Sequence, residues 1–181
     1  MIPPKAASAE VSALSRWLSD ALPATGVSFR FETPADHDFS AALYALTREE
    51  ELRYAHGWSA AQKAAFCRSQ FDAQHAHYEA HYPSAQFLIV LCEGEQVGRV
   101  YFERTARELR LMEITLLTTH RGRGIGGAIS AGLIAQAHAA GLPVGLHVES
   151  FNPARRLNLR QGFRGICRRP LLAAARNRAG D

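Results

Sequence analysis

Apolar residues recur at three- and four-residue spacing between Ala9 and Leu22, at Val11, Leu14, Leu18 and Leu22, which predicts an amphipathic helix. The stretch 27–31, VSFRF, alternates as a strand does, and Thr33-Pro34 breaks it. Asp36 to Thr47 is predicted as a helix. Ser59-Ala-Ala-Gln62 has the spacing of a capping box, in which the serine accepts from a backbone N–H and the glutamine reaches back. A long helix is expected from there to about His81, stopped by Pro83. Strands are predicted over 86–92 and 96–104 around a turn at Glu93-Gly94-Glu95, and a third over 108–117. In the helix after the glycine-rich loop, Ile125, Ala128, Ile129, Leu133 and Ala137 form one stripe, with Gly141 as its C-terminal cap. A strand over 142–149, a short helix opened by Asn152-Pro153 and a last strand over 163–169 complete the chain. This order is that of a mixed α/β sheet, antiparallel early and crossing over later.

Length and charge narrow the picture. The chain has 181 residues, 47% of them hydrophobic, enough for one well-buried domain. We divide it into an extension at 1–26, one domain at 27–168 and a basic tail at 169–181. The net charge is +4, and from Asn152 onward eight arginines face a single acid, Asp181. Aromatics are not interleaved with these arginines, so no nucleic-acid partner is expected, and a solvated basic face is the simpler reading. Three cysteines, Cys67, Cys92 and Cys167, show neither disulfide nor zinc spacing. No run has the length of a signal peptide or a membrane span. A cytoplasmic, membrane-free protein is expected.

His77 and His81 share a helical face four residues apart, but beyond Asp72 and Glu79 no carboxylate or cysteine at a matching offset supports a metal, and none is expected.

The stretch 118–130, TTHRGRGIGGAIS, carries the chemistry. Glycine-rich loops opening a helix hold phosphates, because consecutive backbone N–H groups and the helix N-terminus point at one anion. A P-loop needs a lysine there, and the only lysines are Lys5 and Lys63. Gly122, Gly124 and Gly127 also match the dinucleotide pattern GxGxxG, with Glu149 near the ribose-binding place. Against it, Thr118 to Arg121 delay the first glycine, and too little chain follows for the remaining βαβ units. The third reading is Arg-x-x-Gly-x-Gly at Arg121, Gly122, Arg123, Gly124, Ile125 and Gly126.

Here the chain resembles the GNAT N-acetyltransferase superfamily, over about Val27 to Arg168. Residues 111–129, LMEITLLTTHRGRGIGGAI, look like the family's strand 4, loop and helix 3. Residues 147–163, HVESFNPARRLNLRQGF, look like its strand 5 and helix 4. The resemblance implies the GNAT fold: a mostly antiparallel sheet with strands 4 and 5 splayed and helices on both faces. It implies acetyl-CoA as acyl donor and direct transfer to an amine of a small molecule, peptide or protein. Its pyrophosphate would lie on Arg121 to Gly127, and its pantetheine arm would pair with the backbone of Ile114, Thr115, Leu116 and Leu117. Asn152 matches an asparagine that bonds this arm.

Glu113 is the candidate general base, because a carboxylate in an apolar strand is expected to be solvated, paired or functional. Alternation with Met112, Ile114 and Leu116 turns it to the opposite sheet face. Asn158 stands where many relatives have the tyrosine that protonates the departing thiolate; an amide bonds sulfur but donates no proton at neutral pH. Trp58, Gln74 and Tyr78, with Gln70 and Glu51, are the candidate acceptor-binding residues, suited to a cationic amine. The alternative is a non-catalytic acyl-CoA-binding module, which Asn158 favours. The N-terminal helix leaves room for a homodimer.

Overall fold

A central strand buried on both faces organises the molecule. The computed structural model describes residues 26–146 and, ahead of them, Ala13 and Arg16. Five strands lie in the order β1-β2-β3-β4-β5: β1 Val27–Phe31, β2 Ala85–Cys92, β3 Glu95–Arg104, β4 Leu109–Leu116 and β5 Val144–Leu146. The first four pair antiparallel, and β5 pairs parallel to β4. Residues 97–103 of β3 are all buried, as expected of a strand covered by helices on both sides. The expected mixed, mostly antiparallel sheet is what forms.

Among the described residues, three helices follow from local signals. A 3-10 turn at Pro34–Asp36 leads into α1, His37–Leu52, which runs five residues past the expected end at Thr47. The turn is fixed by a capping box that sequence reading missed, Thr33 with Asp36. The Asp36 carboxylate accepts from Arg30 Nη1 and Nη2 at 2.7 and 2.6 Å, from Thr33 N and Oγ1 at 2.8 Å each, and from Gln96 Nε2 at 2.6 Å. The Arg30 bond first, helped by those from Thr33, holds Asp36 well below the usual carboxylate range despite its burial.

The Ser59–Gln62 box forms as expected and opens α2, Ala60–His81. Helix α3 is Ile125–Ala139. Its stripe of Ile125, Ile129, Leu133 and Ala137 is fully buried against Leu88, Val90, Val100, Phe102, Leu109, Leu111 and Leu116, with Ile114 and Ala128 packed at the margin. Burying each large side chain of that stripe contributes roughly 1.5–3 kcal/mol. The opposite sheet face meets α1 and α2, where Ala41, Tyr44, Cys67 and Phe71 form a second cluster.

Two bulges break the alternation. Val90 pairs with Gly98 and Leu91 with Gln96, so Val97 is an extra residue in β3. Tyr101 pairs with Glu113 and Phe102 with Leu111, so Met112 is an extra residue in β4. Simple alternation therefore fails at Met112: Leu109 and Leu111 before the bulge, and Ile114 and Leu116 after it, all face α3. Met112 is buried but is not part of that cluster, contrary to its expected place beside Ile114.

Among the described residues, no helix is long and apolar enough to cross a membrane. The predicted N-terminal helix apart from Ala13 and Arg16, which are helical, the strand beyond Leu146 with Glu149, the helix carrying Asn152 and Asn158, and the last strand with Cys167 lie outside the described residues.

Candidate active site

The candidate site lies along β4 beyond its described pairing with β5. Among the described residues, β5 pairs only with Leu109, Arg110 and Leu111. The bulge at Met112 comes directly after that contact. Beyond it, the Leu117 N–H donates to Val97 O at 2.8 Å on the β3 side. Peptide groups alternate direction along a strand, so the Leu116 and Ile114 N–H groups point to the opposite edge. Arg121 confirms that direction: its Nε donates to Leu116 O at 2.9 Å. Arg121 was expected to serve phosphate oxygens; in the structure its Nε is spent on strapping the loop to β4. That edge, which has no strand partner among the described residues beyond Leu111, offers the N–H of Ile114 and Leu116 to an added strand-like partner.

The approach to this edge depends on a glycine that sequence reading passed over. A Cβ on Gly98 would fall well inside contact distance of the Thr115 carbonyl oxygen and 2.6 Å from Leu116 Cδ2. Only a bare Cα lets β3 and β4 lie this close.

The loop then turns sharply. Thr118–His120 form a 3-10 turn, Arg121 is extended, and Gly122 and Gly124 have φ of +73° and +82°. Both are in the left-handed region that favours glycine. A Cβ at either would meet nothing within 4 Å, so protein packing does not exclude side chains there. What remains is an exposed, open cradle at the N-terminus of α3, the arrangement that fits a pyrophosphate. Arg123 is exposed beside it. Ile125 turns its side chain into the core at 1% exposure, so only its backbone is available to a ligand. Gly126 lies over Ile114 and Leu116, and Gly127 follows in the first turn.

Glu113, the residue after the bulge, faces α1 and α2. Its Oε1 accepts from Arg99 Nη2 at 2.7 Å and Nε at 3.1 Å, and from Thr115 Oγ1 at 2.7 Å. Its Oε2 is buried and has no hydrogen-bond partner among the described residues. Arg99, 0% exposed, also donates to the Ser40 carbonyl of α1 at 3.0 Å and approaches the Tyr101 hydroxyl at 3.4 Å. Burial works against the Arg99 charge, but the attraction of Glu113, then of Tyr101 and Glu32, outweighs it and raises its pKa. The Tyr101 hydroxyl donates to Glu32 Oε2 at 2.6 Å, and burial pushes its pKa far up.

The acceptor-side candidates fall into two places. Tyr78 packs edge-on against Tyr101 with ring centroids 6.3 Å apart, and His75 and Phe87 contact the same ring. Gln74 Oε1, on the same helix, is buried without a hydrogen-bond partner among the described residues. Trp58 sits elsewhere, ahead of α2, half exposed and stacked edge-on against Phe66. Gln70 is exposed, and Glu51 pairs with Arg48 at 3.0 Å. His77 and His81 stack at 4.2 Å, with His81 Nδ1 bonded to the His77 carbonyl. Among the described residues, no group of three or more His, Cys, Asp or Glu side chains could hold a metal.

The profile of the acetyltransferase (GNAT) family matches residues 40–163. The chain belongs to the GNAT acetyltransferase family. A search of curated proteins found no match. Solved structures share the GNAT fold at low identity. A GCN5-related N-acetyltransferase from Ralstonia eutropha JMP134 is 16% identical, with a TM-score of 0.54 over 81% of this chain and 99% of that one. A PaiA N-acetyltransferase from Thermoplasma acidophilum, solved with coenzyme A, is 13% identical, with a TM-score of 0.51 over 75% and 87%. A transcriptional regulator from Bacillus halodurans C-125 is 15% identical, with a TM-score of 0.53 over 80% and 97%. In this GNAT chain, the family match takes in the bulged β4, the glycine cradle and α3 as one continuous unit.

Proposed function

We propose that this acetyltransferase moves an acetyl group from acetyl-CoA directly to an amine. The observation that carries the reading is the edge of β4 beside the glycine cradle, which has no strand partner among the described residues beyond Leu111. A thioester held along that edge would come next to the unpartnered Oε2 of Glu113. Acetyl-CoA supplies an activated acyl group: the amine nitrogen forms the new C–N bond as the C–S bond breaks, and the sulfur leaves with the electron pair. The chain's own groups do the rest. The backbone N–H groups of Gly122 to Gly126 and the α3 N-terminus bind the pyrophosphate. The N–H groups of Ile114 and Leu116 pair with the pantetheine arm, the Leu116 N–H lying where it would polarise the thioester carbonyl. Glu113 Oε2 takes the proton from the ammonium.

Asn152 adds a bond to the cofactor arm, and Asn158 bonds the sulfur while water returns its proton. The acceptor lies against Tyr78 and Gln74, where aromatic rings and a carbonyl oxygen suit a cation.

The test has two steps. Acetyl-CoA should raise the melting temperature, as any ligand of the native state does. Thiol release is then followed with primary alkylamines, phenethylamine, amino acids and short peptides. Turnover with at least one amine is expected. A stabilised protein that turns over none would indicate a binding module, the reading Asn158 favours. No stabilisation by acetyl-CoA would end the proposal.

A further inference from the structure

We infer that Arg99 is a positioning residue for acyl transfer: it clamps Glu113 by one carboxylate oxygen so that the other stays free and aimed at the acceptor amine. This rests on the reading that Glu113 receives the acceptor's proton.

The geometry is unusual for a structural ion pair. An arginine and a carboxylate commonly meet fork to fork, each oxygen taking one N–H. Here Nε and Nη2 of Arg99 both converge on Oε1, at 3.1 and 2.7 Å, and Thr115 Oγ1 adds a third donor at 2.7 Å. Oε2, which is buried, receives none among the described residues. Leaving a buried acceptor unmet is unfavourable, so a pair selected only to hold the core would use both oxygens. An arrangement that crowds one oxygen and spares the other keeps a fixed, unsatisfied acceptor ready for a ligand.

The guanidinium cannot slip to the alternative pairing. Its Cζ lies over the rings of Phe71 and Tyr101, 4.9 and 4.8 Å from their centroids. Nη1 is held by the Ser40 carbonyl of α1 at 3.0 Å. Arg99 is thus gripped by β3, α1 and α2 and passes that placement to β4. Thr115 lies opposite Arg99 in the ladder, and Tyr101 lies opposite Glu113, so the clamp sits directly beside the bulge at Met112.

Arginine acts here through its fork, which lysine lacks while keeping the charge. The test is a double-mutant cycle with Arg99→Lys and Glu113→Gln. It reads kcat and KM with acetyl-CoA and the fastest amine of the panel, together with acetyl-CoA affinity and melting temperature. In the wild-type background, Arg99→Lys should lower kcat on the order of tenfold, the scale of a small misplacement at a reacting centre. Acetyl-CoA affinity should hold. In the Glu113→Gln background the same change should leave the residual rate within about twofold, because there is no longer a base to aim.

Equal losses in both backgrounds, or no loss in the wild type, would overturn the assignment. Should Arg99→Lys fail to fold, Thr115→Val removes one donor to the same Oε1 and carries the same cycle. A drop in kcat confined to the Glu113 background is then expected, and equal drops refute the clamp. Full activity of Glu113→Gln, or no turnover with any amine, would remove the underlying reading instead. Slow Glu113→Gln with additive losses would leave that reading standing and remove the clamp alone.

Discussion

Gly98→Ala is the substitution whose cost the structure states most plainly. The new methyl would meet three atoms of β4: the Thr115 carbonyl oxygen, Leu116 Cδ2 at 2.6 Å and Leu116 Cα at 3.1 Å. Leu116 Cδ2 is the end of a flexible side chain and can rotate away. The other two atoms are backbone, so β4 itself must shift. Overpacking of this kind costs about 1–3 kcal/mol, and a backbone obstacle argues for the upper half of that range. For a chain of this size, each kcal/mol lowers the melting temperature by roughly 2–4 °C, so a fall of roughly 4–12 °C is expected. Among the described residues β4 has no β5 partner beyond Leu111, so the displaced segment should move toward that edge and weaken acetyl-CoA binding as well. Thermal and urea denaturation measure the first effect and calorimetry the second. Gly57→Ala is the control, since a methyl there meets nothing within 4 Å. It should change stability by less than about 0.5 kcal/mol. A Gly98→Ala protein as stable as wild type would refute the claim that β3 and β4 meet through a bare Cα.

Other outcomes follow from the same geometry. Gly124→Val puts a β-branched residue at φ +82° and fills the cradle, so acetyl-CoA affinity should fall by at least about tenfold, read by calorimetry. Glu113→Gln should lower kcat strongly while leaving acetyl-CoA affinity nearly intact; unchanged turnover would remove Glu113 from the mechanism. Asn158→Tyr, in the part of the chain outside the described residues, should raise kcat if departure of the sulfur limits the rate, and stopped-flow thiol release would show it.

Asp36→Asn tests a pH effect whose sign is fixed. The native Asp36 pKa lies below its unfolded value, so its stabilisation is present above about pH 4 and is lost as pH falls through the native pKa. Asp36→Asn should therefore be less stable than wild type at pH 7, with the gap closing in acid, as urea melts at several pH values would show.

Much of the fold was legible because it rests on local signals. The Ser59–Gln62 box placed the start of α2, and the stripe through Ile125, Ile129, Leu133 and Ala137 placed the buried face of α3. Glu93-Gly94 marked the hairpin. The glycine pattern at 122, 124 and 126 marked the loop and, with the sequence after it, the family. The bulges were not legible, because an extra residue such as Met112 is defined only by its partner strand. Alternation read along β4 alone therefore misplaced Met112. Arg99 was missed for a related reason. Residues 96–104 read only as a strand, and nothing local shows that helices cover both faces and bury the guanidinium. Gly98 drew no notice in the sequence; its use appears only when Leu116 lies across it.

The central claim is that the donor's arm binds as an added strand on the open edge of β4, and amide hydrogen exchange measures this residue by residue. With saturating acetyl-CoA, the Ile114 and Leu116 amides should become strongly protected. Thr115, by the same alternation, turns its N–H to β3 and should change little. Exchange at Ile114 and Leu116 that stays as fast with acetyl-CoA as without it would contradict the account.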